Sequence, residues 1–326
     1  LRSVIAAGVA PAFVPSRVLG AEAPSNKIAL GVIGVGAQGT QDMTNFLGLE
    51  KKVLVTAVCD VNDRNIARAR ERIKDVYGSP DVKVYRDFRE LNGAGDIDAV
   101  LIALPVHWHS IPAIDAALQG KHLFLEKPMA MSFEESRRIR EAVRRKGVVF
   151  QMGTQQRSNL KFRWACELVR NGRIGELEEV QVGTAYGLKA DKFKTGAVPD
   201  WLDWERWVGP APATDFAPQT IERHFHENMT AFSLGMISCW GIHHLDIARW
   251  GHNAADGALI TVSGTGKFPD SGSCDAILNW DVKFEFEGAS PIRFTDARAQ
   301  PHGIKFVGSE HSVFVKRGNL KPSDPE

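Results

Sequence analysis

Hydrophobic positions fall into short unbroken runs in the first half of the chain and into alternation in the second. Ile28 to Ile33 (IALGVI) and Val53 to Cys59 (VLVTAVC) are apolar almost throughout, the pattern of strands buried on both faces. Val82 to Tyr85, Ile97 to Leu104 (IDAVLIAL), His122 to Leu125 (HLFL) and Val148 to Met152 read as further strands. Helical stretches separate them at Asp63 to about Tyr77, Ile111 to Leu118 and Phe133 to Arg145, and Gly78-Ser79-Pro80 breaks the first. Strands alternating with helices predict a parallel sheet covered on both faces.

The pattern changes after Gly153, which divides the chain into an α/β domain at 27–153 and a second domain at 154–326. A helix from Leu160 to Arg170 ends at Asn171-Gly172, and strand-like segments follow at Leu177–Tyr186, Ile260–Val262, Ile277–Phe286, Ile292–Thr295 and His311–Val315. ILNWDVKFEF alternates almost strictly, so it has one dry and one wet face, as in an antiparallel sheet. The second domain is therefore expected to be α+β. Residues 1–26 stand apart: Val4 to Val14 is apolar but too short for a bilayer, and Ala21-Glu22-Ala23 follows it as a cleavage-type A-x-A. This predicts the remnant of an export signal and a periplasmic protein. Only Arg2 precedes the apolar run and the chain opens on Leu1, so upstream residues are expected to be missing. No other segment nears the roughly 18 apolar residues of a membrane span, so none is expected in the mature chain.

Composition narrows the function. At about 150 residues per domain, 326 residues suggest two. Forty Lys and Arg against 39 Asp and Glu leave a charge of +1, without the cationic surplus of a nucleic-acid binder. Cys59, Cys166, Cys239 and Cys274 lie too far apart to write a CxxC redox pair or a paired-cysteine zinc site.

The chemistry begins at Gly34-Val35-Gly36-Ala37-Gln38-Gly39, a GxGxxG between strand and helix. Gly34 permits the turn, Gly36 lets backbone approach a pyrophosphate, Gly39 lets helix pack on strand, and the helix N-terminus at Ala37 and Gln38 offers N–H groups to phosphates. Asp60 ends the next strand about twenty residues beyond Gly39, the position of the acid that bonds a ribose diol. A carboxylate there repels a 2′-phosphate and favours NAD; Arg64 weakens the preference and leaves NADP as second candidate. Leu104, Pro105, His107 and His109 follow the fourth strand and Glu126-Lys127-Pro128 the fifth, where carboxyl ends of strands face a ligand crevice. His107 and His109, and His224 and His226, have the spacing that puts both on one face of a strand, but no third ligand is marked and no metal is assigned.

The chain resembles the Gfo/Idh/MocA oxidoreductases, from about Lys27 to Asn319. The resemblance rests on GVIGVGAQG (Gly31–Gly39), ALPVHWH (Ala103–His109), GKHLFLEKPMA (Gly120–Ala130), GTQQRS (Gly153–Ser158), VRNGRIGEL (Val169–Leu177), WERWVGPAP (Trp204–Pro212) and WGIHHLDIARWG (Trp240–Gly251). It implies a Rossmann domain that binds a nicotinamide cofactor and an open, mainly antiparallel sheet that encloses a sugar or cyclic polyol and joins subunits into a homo-oligomer. It also implies export by a twin-arginine-type signal. The implied reaction moves hydride from a secondary alcohol or hemiacetal carbon to the nicotinamide, with Lys127 bonding the hydroxyl and His243 as general acid/base. Asp246, three residues on in a helix over Ile242–Trp250, shares a face with His243 and is expected to orient it. Gln155, Gln156, Arg157, Tyr186, His224, His226 and Asn228 are expected on the substrate rim, and Trp201, Trp204, Trp207 and Trp240 suit sugar stacking.

Two departures qualify the resemblance. Many members carry Asp four residues before the histidine at 243, where this chain has Cys239, and members usually continue beyond the strand at His311–Val315. The second departure predicts an abridged domain or a fragment. The first leaves two other outcomes beside net oxidation: an NAD-dependent glycosidase working by transient oxidation and elimination, and a sugar-binding relative without catalysis.

Overall fold

Each apolar run of the first half becomes one strand of a parallel sheet. The computed structural model describes residues 26–79 and 81–324. The export-signal segment and Pro80 of the predicted breaker lie outside the described residues. Strands β1 (Ile28–Ile33), β2 (Val53–Cys59), β3 (Lys83–Tyr85), β4 (Ala99–Ile102), β5 (His122–Leu125) and β6 (Phe150–Met152) alternate with helices α1 (Ala37–Leu47), α2 (Asp63–Tyr77), α3 (Phe88–Gly93), α4 (Ser110–Leu118) and α5 (Phe133–Lys146). Their order, β3-β2-β1-β4-β5-β6, with parallel pairing throughout, is the doubly wound arrangement whose ligand crevice opens where the order reverses, beyond β1 and β4.

Each face of the sheet has its own core. Leu30, Val32, Val55 and Val58 pack with Met43 and Leu47 of α1 and Ile66, Ala69 and Ile73 of α2. Ile33, Val100, Ile102, Leu123 and Leu125 pack on the other face with Leu91, Ala113, Ala116 and Ile139 of α3, α4 and α5. The strands lack hydrophobic alternation because neither face meets water.

The second sheet comes from the alternating half. It contains β7 (Leu177–Thr184), β8 (Ile260–Lys267), β9 (Asn279–Phe286), β10 (Ala289–Asp296), β11 (Gly303–Gly308), β12 (Ser312–Lys316) and β13 (Asn319–Pro322), in the order β13-β12-β11-β7-β10-β9-β8. Its pairings are antiparallel except β10 with β7. Helix α6 (Leu160–Arg170) and α10 (Gly241–Gly251) cover one face, with Phe162, Cys166, Ile247 and Ala248 against Val180, Val182, Phe294, Ile304 and Phe306. Short helices α7 (Trp204–Val208), α8 (Arg223–His226) and α9 (Met236–Cys239) lie in the long connection between β7 and α10. Two strands were not foreseen. β11 begins and ends on glycine, and β13 is a polar edge strand, so neither carries the apolar run that marks a strand in sequence.

The two domains meet along more than a linker. After β2, Asn62 forms an antiparallel bridge with Leu202, the Asp63 N–H donates to Trp201 O at 2.9 Å, and the Asp203 N–H donates to Val61 O at 3.0 Å. Arg64 lies 4.2 Å above the Trp201 ring. The segment carrying Trp201, expected to stack on sugar, thus straps the far end of the β2 crevice instead.

Candidate active site

The glycine turn is built by close approach. Gly34 has φ +84°, a left-handed conformation that favours glycine, and its N–H donates to Cys59 O at 2.8 Å. A Cβ on Gly39 would stand 1.9 Å from Gly34 O, so α1 packs directly on the turn. Gly36 differs: a Cβ there would meet nothing nearer than Asn65 Nδ2 at 3.9 Å. It borders a cleft of about 450 Å³ lined by Gly34, Gly36, Ala37, Gln38, Asp60, Leu104, Pro105, Glu126 and Lys127. A side chain at 36 would fill space that the protein leaves open beside the first turn of α1. That cradle fits a dinucleotide pyrophosphate, with unpaired N–H groups of the helix start facing it.

Asp60 forms the other side of this turn. Its carboxylate accepts from Val35 N at 2.9 Å, Asn62 N at 2.9 Å and Asn65 Nδ2 at 3.2 Å. Burial raises its pKa, and these three donors pull against that. The residue therefore ties the phosphate turn to the end of β2 as well as standing at the ribose position.

At the opposite end, Lys127 follows β5 in a cis Lys127–Pro128 unit. Its Nζ donates to the main-chain carbonyl of Cys239 at 3.3 Å, across the domain boundary. Cys239 occupies the position where a carboxylate was expected. Its Sγ lies 3.1 Å from Ser233 Oγ, and burial pushes the thiol up to about 11, so it is neutral. A carbonyl thus orients the lysine without adding a negative charge.

His243, in the first turn of α10, is buried and its Nδ1 has no hydrogen-bond partner. Burial, then the charge of Lys127, then that of Arg317 hold its pKa down to about 3, so the ring is neutral and an acceptor at ordinary pH. The expected orienting role of Asp246 is corrected: its two oxygens take a fork from Arg157, at 2.7 and 2.8 Å, and it makes no bond to His243. The bidentate charged pair holds the carboxylate more firmly than a neutral imidazole N–H would.

Glu126 stands beside Lys127, with its Oε2 accepting from the Lys127 N–H at 3.1 Å. Burial, and after it the charge of Asp42, raise Glu126 to about 7. Burial also raises Asp42, which is bonded to Glu126 and takes Gln38 Nε2 at 3.0 Å. Gln38 Oε1 in turn accepts from Arg223 Nη1 at 3.0 Å, and Arg223 Nε donates to Glu227 at 2.8 Å. Arg223 lines the cleft and was not foreseen, because a four-residue helix 185 positions from Gln38 leaves no periodic signal. A cation brought over the phosphate turn by the second domain suits a dinucleotide.

Other predicted residues stand elsewhere. His107 and His109 are in and beside a 3-10 turn, not a strand, and neither lines the cleft. His107 Nε2 meets Trp207 O at 3.1 Å, with burial holding the ring down to about 4. His109 is wedged between Pro128 O at 2.6 Å and Leu104 O at 2.8 Å, bracing the loop that carries Lys127. Pro105, Val106 and Trp108 form the wall expected of these histidines. Gln155 is exposed, while Gln156 beside it is buried with both amide atoms unpartnered. Tyr186 lies under Arg298, at 4.7 Å, and His224 is exposed near Glu222; neither lines the cleft. His226 does line it, Asn228 anchors Leu188 N at 3.0 Å, and Trp204 stacks on Trp207 at 5.0 Å. Among the described residues, no three His, Cys, Asp or Glu side chains converge as a metal site.

Residues 28–154 match the family model described as an oxidoreductase family with an NAD-binding Rossmann fold. The first domain is that of the Gfo/Idh/MocA oxidoreductases. The chain is 35% identical over 164 residues to an alpha-N-acetylgalactosaminidase of Shewanella oneidensis, covering 49% of this chain and 36% of that protein. It is 35% identical over 177 residues to a glycosyl hydrolase family 109 protein of a Shewanella species, covering 53% and 38%. The matches thus span well under half the length of these curated relatives. Among solved structures, a levoglucosan dehydrogenase in complex with NADH and L-sorbose superposes with TM-score 0.69 at 19% identity, covering 91% of this chain and 76% of that one. The WlbA dehydrogenase of Bordetella pertussis, in complex with NADH and UDP-GlcNAcA, gives 0.67 at 18% identity, covering 92% and 83%. These two structures share the fold across the second domain as well.

Proposed function

We propose that the protein is an NAD-dependent oxidoreductase acting on a secondary alcohol or hemiacetal carbon of a sugar or cyclic polyol. The carrying observation is the Lys127 amine at one end of the Gly-turn cleft, fixed on Cys239 O, with its charge acting on the buried neutral ring of His243 four residues further on. The residues of the turn fit NAD: Gly36, Ala37 and Gln38 would hold its pyrophosphate, Asp60 its ribose, and Glu126 and Lys127 would border its redox ring. Bound nicotinamide supplies the hydride acceptor. The Lys127 ammonium, fixed by Cys239 O, donates a hydrogen bond to the reacting hydroxyl and stabilises negative charge as it develops on that oxygen. The His243 ring, neutral at ordinary pH, accepts the hydroxyl proton. The walls at Pro105 and Trp108 narrow the cleft and limit water in it.

A second reading is supported by the curated relatives, whose printed names are those of glycosidases. In it Lys127 and His243 would assist a transient oxidation of the sugar by bound NAD; the aglycone leaves by elimination, water adds in its place and the hydride returns, so no net redox change remains. Incubation with NAD and a panel of sugars and aryl glycosides, with nicotinamide absorbance and aglycone followed together, separates the readings. Accumulating NADH without aglycone supports net oxidation; aglycone without NADH supports cleavage. NAD binding with neither product supports a sugar-binding relative without catalysis. Lys127→Ala and His243→Ala are each expected to lower kcat/KM by about 10²–10⁴. Full turnover in both variants overturns the site.

Export to the periplasm is supported by the apolar run and A-x-A before residue 26, and cell fractionation of the natural gene product tests it. Homo-oligomerisation through the second sheet is supported by its edge strand β8, where every residue is exposed and Ile260 and Val262 are uncovered. Sedimentation is expected to give a dimer or larger species, with Val262→Lys shifting it toward monomer.

A further inference from the structure

Arg317 occupies the turn between β12 and β13, with its guanidinium 4.6 Å above the ring of Trp240. Trp240 directly follows Cys239, whose carbonyl holds Lys127, and its ring is 4.9 Å from His302 and 5.4 Å from His243. His302 in turn lies 4.7 Å from His244. Arg317, Trp240, His302 and His243 therefore form one cluster that ends at the reacting groups.

The charge of this cluster is one-sided. Several other arginines of the second domain have carboxylates: Arg157 has Asp246, Arg223 has Glu227, Arg249 has Asp256 and Arg298 has Asp296. Among the described residues Arg317 has no hydrogen-bond or ion-pair partner. Partial burial alone acts on it, and holds its pKa below the ordinary guanidinium value. The main charges acting on His243, after its burial, are those of Lys127, Arg317 and Arg223, all positive. A guanidinium stacked on an indole keeps its N–H edge free for a planar acceptor, the geometry that recognises a carboxylate.

We propose that the substrate is an anionic sugar, its carboxylate or equivalent acidic group held by Arg317 beside Trp240 while the reacting hydroxyl lies at Lys127 and His243. This rests on the reading of the cleft as a sugar site. Arg317 is exposed on its turn and its guanidinium meets no carboxylate among the described residues, so a neutral sugar offers it no counter-charge and a uronate supplies one.

Calorimetric titration of the NAD-loaded protein with glucuronate and galacturonate, against glucose and galactose, tests the proposal on the unaltered chain. The acids are expected to bind at least about tenfold tighter, with the advantage shrinking as salt is raised. Arg317→Ala is expected to bring the acid-to-neutral ratio close to one, and Arg317→Lys to restore part of it. Glucose 6-phosphate and inorganic phosphate form a second arm: the anion is a phosphate if the sugar phosphate outbinds the uronates, and a carboxylate if it does not. Equal binding of acids and neutral sugars, or an unchanged ratio in Arg317→Ala, overturns the proposal. Neutral sugars turned over with no preference for acids would remove this inference and leave the proposed function standing. Failure of every sugar, acidic or neutral, to bind would remove both.

Discussion

Glu126 brings a titration near neutrality to within one residue of Lys127. Its pKa is about 7 in the fold because burial, and then the charge of Asp42, disfavour its carboxylate. The folded state thus binds this proton more tightly than the unfolded chain does. The stabilisation is fully present below the ordinary carboxyl range and is lost as pH rises through about 7. Unfolding free energy at pH 5 should therefore exceed that at pH 8 by on the order of 2 kcal/mol from this group, a difference that denaturant titration should no longer find in Glu126→Gln. The same substitution should remove a limb near pH 7 from the turnover profile. His243 cannot supply that limb, since its ring is neutral throughout this range. Glu126, Lys127, Asp60 and the glycines were legible because each sits at the end of an apolar run. Gln155 and Gln156 were equally plausible as letters; only burial separates them, and the buried one is Gln156.

The elements around the phosphate turn separate packing from ligand recognition. Gly39 touches Gly34 O, whereas the space at Gly36 faces the cleft. Gly39→Ala should accordingly cost stability, roughly 1–3 kcal/mol, as overpacking against backbone does. Gly36→Val should shift the unfolding midpoint little and abolish NAD binding, as NADH fluorescence titration would report. Loss of NAD binding without loss of stability at position 39 would reverse this assignment. Strands β1, β2 and β4 could be read because a run buried on both faces is apolar without interruption. The second sheet was harder. β9 shows its alternation openly, yet β8 is exposed along its whole length and β11 is framed by glycines, so hydrophobicity carries little information there.

At the scale of the whole molecule, the site exists only because two domains meet. The bonds from Lys127 to Cys239 and from Arg223 to Gln38 join residues 112 and 185 positions apart, separations at which no local pattern operates. That is why the composition and the resemblance led to the correct domain but not to Arg223, or to the pairing of Asp246 with Arg157. Arg223→Ala should weaken NAD binding by about tenfold, the worth of one charge-assisted contact, and weaken it less at high salt. An unchanged dissociation constant would leave Arg223 only a structural tie. The strap formed by 61–63 and 201–203 bears on the same cofactor: Leu202, Arg206 and Trp207 wall the crevice beside Asn62. A nucleotide leaving at that end must wait for two main-chain bonds and a stacked arginine to let go. Departure slower than sugar turnover would favour a coenzyme that stays aboard, regenerated in place by the molecule it has just oxidised.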